Sequence, residues 1–174
     1  YDLLPSGRVV IAFGKNVEIE NVLDLLKQTG ITPVAIDAAC LALYDAFADH
    51  PWNKAKKDFG IVDIGDKTTD LLIVKNGEPF ASCEINYGGK DLIKGREKMK
   101  IFSRELGSHL SNFFRFYEEK ESFNIRDIIL TGEYSSLAGL CKHLKARNGL
   151  NTVIGDPFAV AQFHLPDIDN PGEN

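Results

Sequence analysis

Three short apolar runs joined by two tight turns constrain this chain more than any other feature. Phe59–Ile64 (FGIVDI) and Thr69–Lys75 (TDLLIVK) are rich in β-branched residues, with Gly65-Asp66-Lys67 between them. Asn76-Gly77 then leads into a third run, Glu78–Asn86. Asn-Gly is the strongest short hairpin signal, because a two-residue turn that matches strand twist needs positive φ at both positions. Phe59–Asn86 is therefore expected as an antiparallel three-stranded meander with glycine at both turns.

The flanking segments extend this into a mixed α/β class. Between Glu97 and Glu119, Phe102, Leu106, Leu110, Phe113, Phe114 and Tyr117 recur at helical spacing, which predicts a long helix with its stripe in the core. Asp127–Thr131 (DIILT) reads as a strand, Gly132 as a turn, and Leu137, Leu140, Cys141 and Leu144 as a helix stopped near Gly149. Thr152–Ile154 reads as a last strand, and the tail from Pro166 to Asn174 as frayed. Upstream, Arg8–Phe13 (RVVIAF) suits a strand, followed by a helix capped by Asn16 and closed at Gly30. Pro33–Ile36 (PVAI) suits a second strand, and Asp37 an N-cap for a helix from Leu41 to Phe47. His50–Asp58 is polar and carries a proline, so it is expected as a linker, a solvated loop in which Trp52 alone is packed. The expected divisions are 1–36 (a small strand–helix–strand subdomain), 37–58 (helix and linker) and 59–174.

Composition narrows the function. A chain of 174 residues with 44% hydrophobic content supports its own core and is not disordered. Lys plus Arg number 20 against 25 for Asp plus Glu, a net charge of −5, which argues against nucleic acid as a partner. No apolar run approaches the roughly 20 residues that cross a bilayer, so no membrane insertion is expected. Cys40, Cys83 and Cys141 have neither metal-ligand spacing nor an even count, and read as thiols in a reducing compartment. The chain opens at Tyr1 without a methionine, which reads as a fragment of something longer.

The chemistry concentrates in Asp63-Ile64-Gly65-Asp66-Lys67-Thr68-Thr69-Asp70. Glycine lets a backbone approach a ligand closely, and amides and hydroxyls from Gly65 to Thr69 can cradle phosphate oxygens. Asp63, at a strand end, is placed to hold Mg²⁺ through water. The same residues also make an ordinary β-turn with a self-bonding aspartate, and the loop alone leaves both readings open. Two further glycine elements end strands. Thr131-Gly132 is expected to precede a helix N-terminus carrying Ser135 and Ser136, an anion or nucleoside platform, and Gly88-Gly89 allows close packing. His50, His109, His143 and His164 are scattered and have no nucleophile at motif spacing.

In order, these residues resemble the actin-like (ribonuclease H-like) ATPase superfamily. FGIVDIGDKTTDLLIVKNGEPF with INYGGKDL resembles its second phosphate-binding hairpin, and DIILTGEYSSLAGLCKHL its adenosine-side motif. VVIAFGKNVEIENVLDLLKQTGITPVAIDAACLAL ahead of the hairpin, and Gly155–Phe158 after it, are most similar to the PilM family of type IV pilus assembly. The resemblance implies a partial actin-like ATPase domain with a small α/β subdomain. It implies nucleotide contacts from Asp63, Gly65, Asp66, Lys67, Thr68, Thr69, Gly88, Gly89, Gly132 and Glu133, with ATP and Mg²⁺ as cofactors and Asp63 toward the metal. It also implies a cytoplasmic scaffold at the inner membrane, self-association, and a PilN-like cytoplasmic tail docking on the family's N-terminal half and small strand–helix–strand subdomain, the latter here Arg8–Ile36. A type II secretion protein of the same fold and a sugar-kinase-like phosphotransferase are the alternatives. Three departures shape the expectation. The half-domain with the first phosphate loop is absent, Glu133-Tyr134 stand where the family prefers glycine, and Lys94 runs into the long helix where the family has an insert. The chain as given is expected to bind nucleotide weakly and not to hydrolyse it.

Overall fold

The computed structural model describes residues 1–90, 96–121 and 123–160, which form two compact units, Tyr1–Ala42 and Leu43 onward. The first unit opens with a hairpin of two-residue strands, β1 (Asp2–Leu3) and β2 (Val9–Val10), in antiparallel register. Its turn is closed by Leu4 N–H to Arg8 O at 2.8 Å. Helix α1 (Asn16–Gln28) follows, and the half-buried Ile19, Leu23 and Leu26 make its apolar stripe. None of the described side chains in this unit is fully buried. Helix α2 (Ala39–Ala46) ends the unit and runs into the next.

Several expectations fail in this unit. Pro33–Ile36 is not a strand: Pro33 has no N–H to donate, no strand lies beside it, and Val34 stands fully exposed. Of Arg8–Phe13, only Val9–Val10 pairs. Lys15, not Asn16, is the N-cap of α1, and it makes no side-chain cap bond. Asp37 accepts a bond from Ala38 N–H at 2.7 Å, but the carbonyl of Ala38 opens α2, so Asp37 stands one residue before the capping position.

In the second unit, His50–Asp58 is not an open linker. It holds the short helix α3 (Pro51–Lys54), with His50 as N-cap accepting from Trp52 N–H and Pro51 at the first helical position, where a missing N–H costs nothing. Trp52 is packed, as expected, and the Lys57 ammonium lies 4.7 Å over its ring while pairing with Asp127 at 2.9 Å.

The meander forms as expected. Strands β3 (Phe59–Ile64), β4 (Thr69–Lys75) and β5 (Glu78–Ile85) pair antiparallel, with a register shift between Ile73 and Val74. Asn76 and Gly77 have φ of 54° and 77°, the signs a primed hairpin turn demands. The long helix α4 (Arg96–Glu118), strand β6 (Asp127–Thr131), helix α5 (Leu140–Asn148), strand β7 (Asn151–Ile154) and the short α6 (Pro157–Val160) complete the unit. The sheet order is β5-β4-β3-β6-β7, with β6 and β7 joined in parallel through the two helices.

Strand β3 sits at the centre and is buried on both sides. Val62 and Ile64 face Phe102, Leu106, Leu110 and Phe114 of α4 and Leu140 and Leu144 of α5. Phe59 and Ile61 face a smaller cluster with Phe47, Leu72, Val74 and Ile129. Gly60 brings α4 close: a Cβ there would lie 2.9 Å from the Phe114 ring. Each fully buried aliphatic or aromatic side chain in this core contributes about 1.5–3 kcal/mol, so the α4 stripe anchors the helix. Among the described residues no helix is long and apolar enough to cross a membrane.

Candidate functional site

The strand order places the C-terminal ends of β3 and β6 side by side, with Asp63 opposite Thr131. Gly132 follows at once with φ of 88°, and a Cβ on it would strike Asp63 Oδ1 and come within 2.7 Å of the Ile64 N. Only glycine lets the β6 turn close onto β3 here. Asp63, Thr131, Gly132, Ser135, Gly155 and Asp156 thereby line a cleft of about 450 Å³ together with Phe47 and Phe158.

Within it, Asp63 is half-buried and its carboxylate makes no hydrogen bond or ion pair among the described residues. Burial pushes its carboxyl above the usual range. Asp70 stands opposite Asp63 in the ladder and Glu84 opposite Asp70. Burial first, then Glu84, then Asp63 raise Asp70 as well. The described residues include no group of three metal-ligating side chains. A divalent cation that keeps most of its water needs few protein ligands, and Asp63, with Asp156 on the same cleft, could supply them.

The phosphate-type turn is held by its own backbone. Gly65 N–H bonds Thr68 O at 3.0 Å, while the carbonyls of Gly65 and Asp66 accept from Gly89 and Lys90 N–H at 2.9 and 2.8 Å. Thr69 Oγ1 donates to Tyr87 O at 2.6 Å. The carbonyls of Gly65, Asp66 and Thr68 are thereby occupied, whereas the amides of Asp66, Lys67 and Thr68 have no backbone acceptor among the described residues. Gly88 and Gly89 act structurally. A Cβ on Gly88 would hit the Asp66 carbonyl, and one on Gly89 would lie inside the Tyr134 ring. Tyr134 also donates its hydroxyl to Asp66 Oδ1 at 3.2 Å.

The three glycine elements therefore converge, but they divide between two clefts. Asp63 and Gly132 line the first; Asp66, Lys67 and Gly88 line a second, on the α4 side of the sheet. Gly65, Thr68, Thr69, Gly89 and Glu133 line neither, and Glu133 is exposed. The expected helix N-terminus at Ser135 and Ser136 is not there. Residues 133–136 are turns, α5 begins only at Leu140 behind Gly139, and Ser135 Oγ donates to Gly132 O at 2.8 Å. Glycine at 139 breaks the helical run that the leucine spacing suggested. Sequence reasoning missed Asp156 as a cleft residue, and it singled out Thr131 and Ser135 without placing them beside Asp63, which the register of β6 against β3 does. His50, His109 and His143 are apart as expected, whereas His164, Lys94 and the tail lie outside the described residues.

No protein-family model and no curated protein matches the sequence. Solved structures do. A PilM–PilN type IV pilus biogenesis complex matches with a TM-score of 0.72 and 21% identity, over 82% of this chain and 48% of that one. MreB5 of Spiroplasma citri bound to ADP matches with a TM-score of 0.56 and 16% identity, over 83% of this chain and 62% of that one. The ethanolamine utilization protein EutJ from Carboxydothermus hydrogenoformans matches with a TM-score of 0.54 and 16% identity, over 79% and 57%. These likenesses show an actin-like fold. The chain spans less than two thirds of each of these structures. What it carries of the actin-like fold is one five-stranded sheet with its helices, ahead of which stands the small first unit.

Proposed function

We propose that this chain is part of an actin-like scaffold of the PilM kind, which binds the cytoplasmic tail of a PilN-like membrane partner. It works in the cytoplasm, peripherally at the inner membrane. The observation that carries this reading is the likeness to the PilM–PilN complex across 82% of the chain. Arg8–Ile36 is the proposed docking subdomain, and self-association of the scaffold belongs to the same reading.

Nucleotide serves as a gate. The half-buried Asp63, whose carboxylate has no hydrogen-bond or ion-pair partner among the described residues, and the close Gly132 turn fit a hydrated Mg²⁺ and a phosphate chain. Bound there, the cation would neutralise phosphate charge. The Asp66–Thr68 amides and Glu133 do not line this cleft, so the phosphates would meet the β3 and β6 ends from one side only. Phosphoryl transfer needs phosphates surrounded from several sides, so the chain as given holds nucleotide weakly and does not turn it over.

Two titrations test the reading. In the first, a synthetic cytoplasmic tail of a PilN-like protein is added to the longer protein containing this chain; saturable one-to-one binding is expected, and no binding overturns the scaffold role. The second uses a labelled ATP analogue with Mg²⁺, on wild type and Asp63→Ala. Weak binding, reduced about tenfold by the substitution, is expected. Micromolar binding with turnover that Asp63→Ala abolishes would make this an ATPase instead.

A further inference from the structure

The second cleft, of about 340 Å³, belongs to a part of the molecule with unusual charge. Between Asn86 and Arg104 the chain has six basic residues (Lys90, Lys94, Arg96, Lys98, Lys100 and Arg104) against Asp91 and Glu97, in a protein whose net charge is −5. Lys67, Lys90 and Lys98 stand on the cleft's rim and are exposed. Lys90 approaches Asp66 only to 4.0 Å, and Lys67 and Lys98 make no ion pair among the described residues. The floor is apolar. Tyr87 stacks on Phe102 with ring centroids 5.1 Å apart, and Ile101 lies beside them, 46% exposed.

Helix stability does not account for these lysines. Lys67 and Lys90 lie outside α4, and Lys98 falls in its first turn, where the macrodipole favours acidic side chains. Nor do they solubilise an acidic protein, which is already far from neutrality. A basic rim around an exposed apolar floor, on a molecule of net charge −5, is complementary to a ligand that carries carboxylates beside an apolar side chain. Lysines are flexible point charges without a fixed fork, so they suit carboxylates presented at variable spacing along a chain. We propose that this cleft docks an acidic peptide segment of a partner, with an aliphatic or aromatic side chain on Tyr87, Ile101 and Phe102 and flanking carboxylates on Lys67, Lys90 and Lys98. The site is separate from the Asp63 cleft and does not depend on nucleotide.

The test is fluorescence anisotropy on the full chain with a labelled, acetylated decapeptide of alternating Glu and Leu, beside the same peptide with Gln for Glu. Binding of the Glu peptide should be at least about tenfold tighter, and should weaken markedly between about 50 and about 200 mM salt. The double variant Lys90→Glu with Lys98→Glu should lose about tenfold or more, whereas Lys142→Glu with Lys145→Glu on α5 should lose less than about threefold. Thermal melts of both double variants establish that each is folded. Equal binding of the two peptides, or equal losses in the two double variants, overturns the proposal. Displacement of the peptide by Mg²⁺-pyrophosphate, with the same losses in the lysine variants, would reassign the cleft to phosphate and overturn it too. The Asp63→Ala titration reads the other cleft, so the two proposals fail independently.

Discussion

Helices α1 and α4 are built on the same pattern and end in opposite conditions. Both repeat apolar residues at helical spacing, yet α4 buries Phe102, Leu106, Leu110 and Phe114 almost completely, whereas α1 buries none of its own. The difference lies in what each helix has to lie on. Within its unit, α1 has a hairpin of two-residue strands and the first turn of α2 for company, while α4 has five strands whose central member is apolar on both faces. Amphipathic periodicity states which face a helix offers, not whether a surface exists to take it.

Four measurements break or sharpen that comparison, taken from the largest expected effect down. Hydrogen exchange should give amides around Leu106 and Leu110 protection near the global unfolding free energy, of order 5–15 kcal/mol, while α1 amides open at about 1–2 kcal/mol. Equal protection would mean that α1 is covered after all. Leu106→Ala should cost about 3 kcal/mol in urea unfolding, against less than about 0.5 kcal/mol for the 61% exposed Leu25→Ala. Gly132→Ala should cost about 2 kcal/mol, since a methyl group at positive φ would press on Asp63 and Ile64, whereas Gly7→Ala meets no neighbour and bears only the backbone strain. The smallest effect is a pH dependence. The folded state holds the Asp70 proton more tightly than the unfolded chain does, so its stabilising contribution is complete below the ordinary carboxylate pKa. It is lost as pH rises through the raised folded value. Asp70→Asn should flatten that decline and leave the protein at least as stable at neutral pH; a variant less stable than wild type there would contradict the assigned cause.

The same contrast explains what was legible in the sequence. The meander, the α4 stripe and the β6 strand were readable because each is fixed by local chemistry that its tertiary partners reinforce: Asn76-Gly77 at the turn, and leucines and phenylalanines one face deep. Pro33–Ile36 was misread because a β-branched run becomes a strand only when a neighbour accepts its hydrogen bonds. The helix expected at Ser135 failed for a different reason: Gly139 sets where α5 starts, and Ser135 spends its hydroxyl on the Gly132 carbonyl instead. At the candidate site, Asp63 and Gly132 were recognisable by residue type, but their apposition depends on the parallel register of β3 with β6. The division of the glycine loops between two clefts depends on which side of the sheet each loop leaves, which no local motif encodes.

That parallel register also governs how the chain reaches its fold. The β3–β4–β5 pairings close through short turns, so they can form within microseconds of collapse. Gly60 meets Ile128 only after the whole of α4 has been made and laid across the sheet, a loop whose closure entropy must be met before any β6 hydrogen bond rewards it. Until then one edge of β3, among the most apolar strands in the molecule, stands open. In this interval a newly made chain is most able to pair with another copy of itself, and slow docking of β6 rather than any weakness of the finished core would then limit the yield of folded protein.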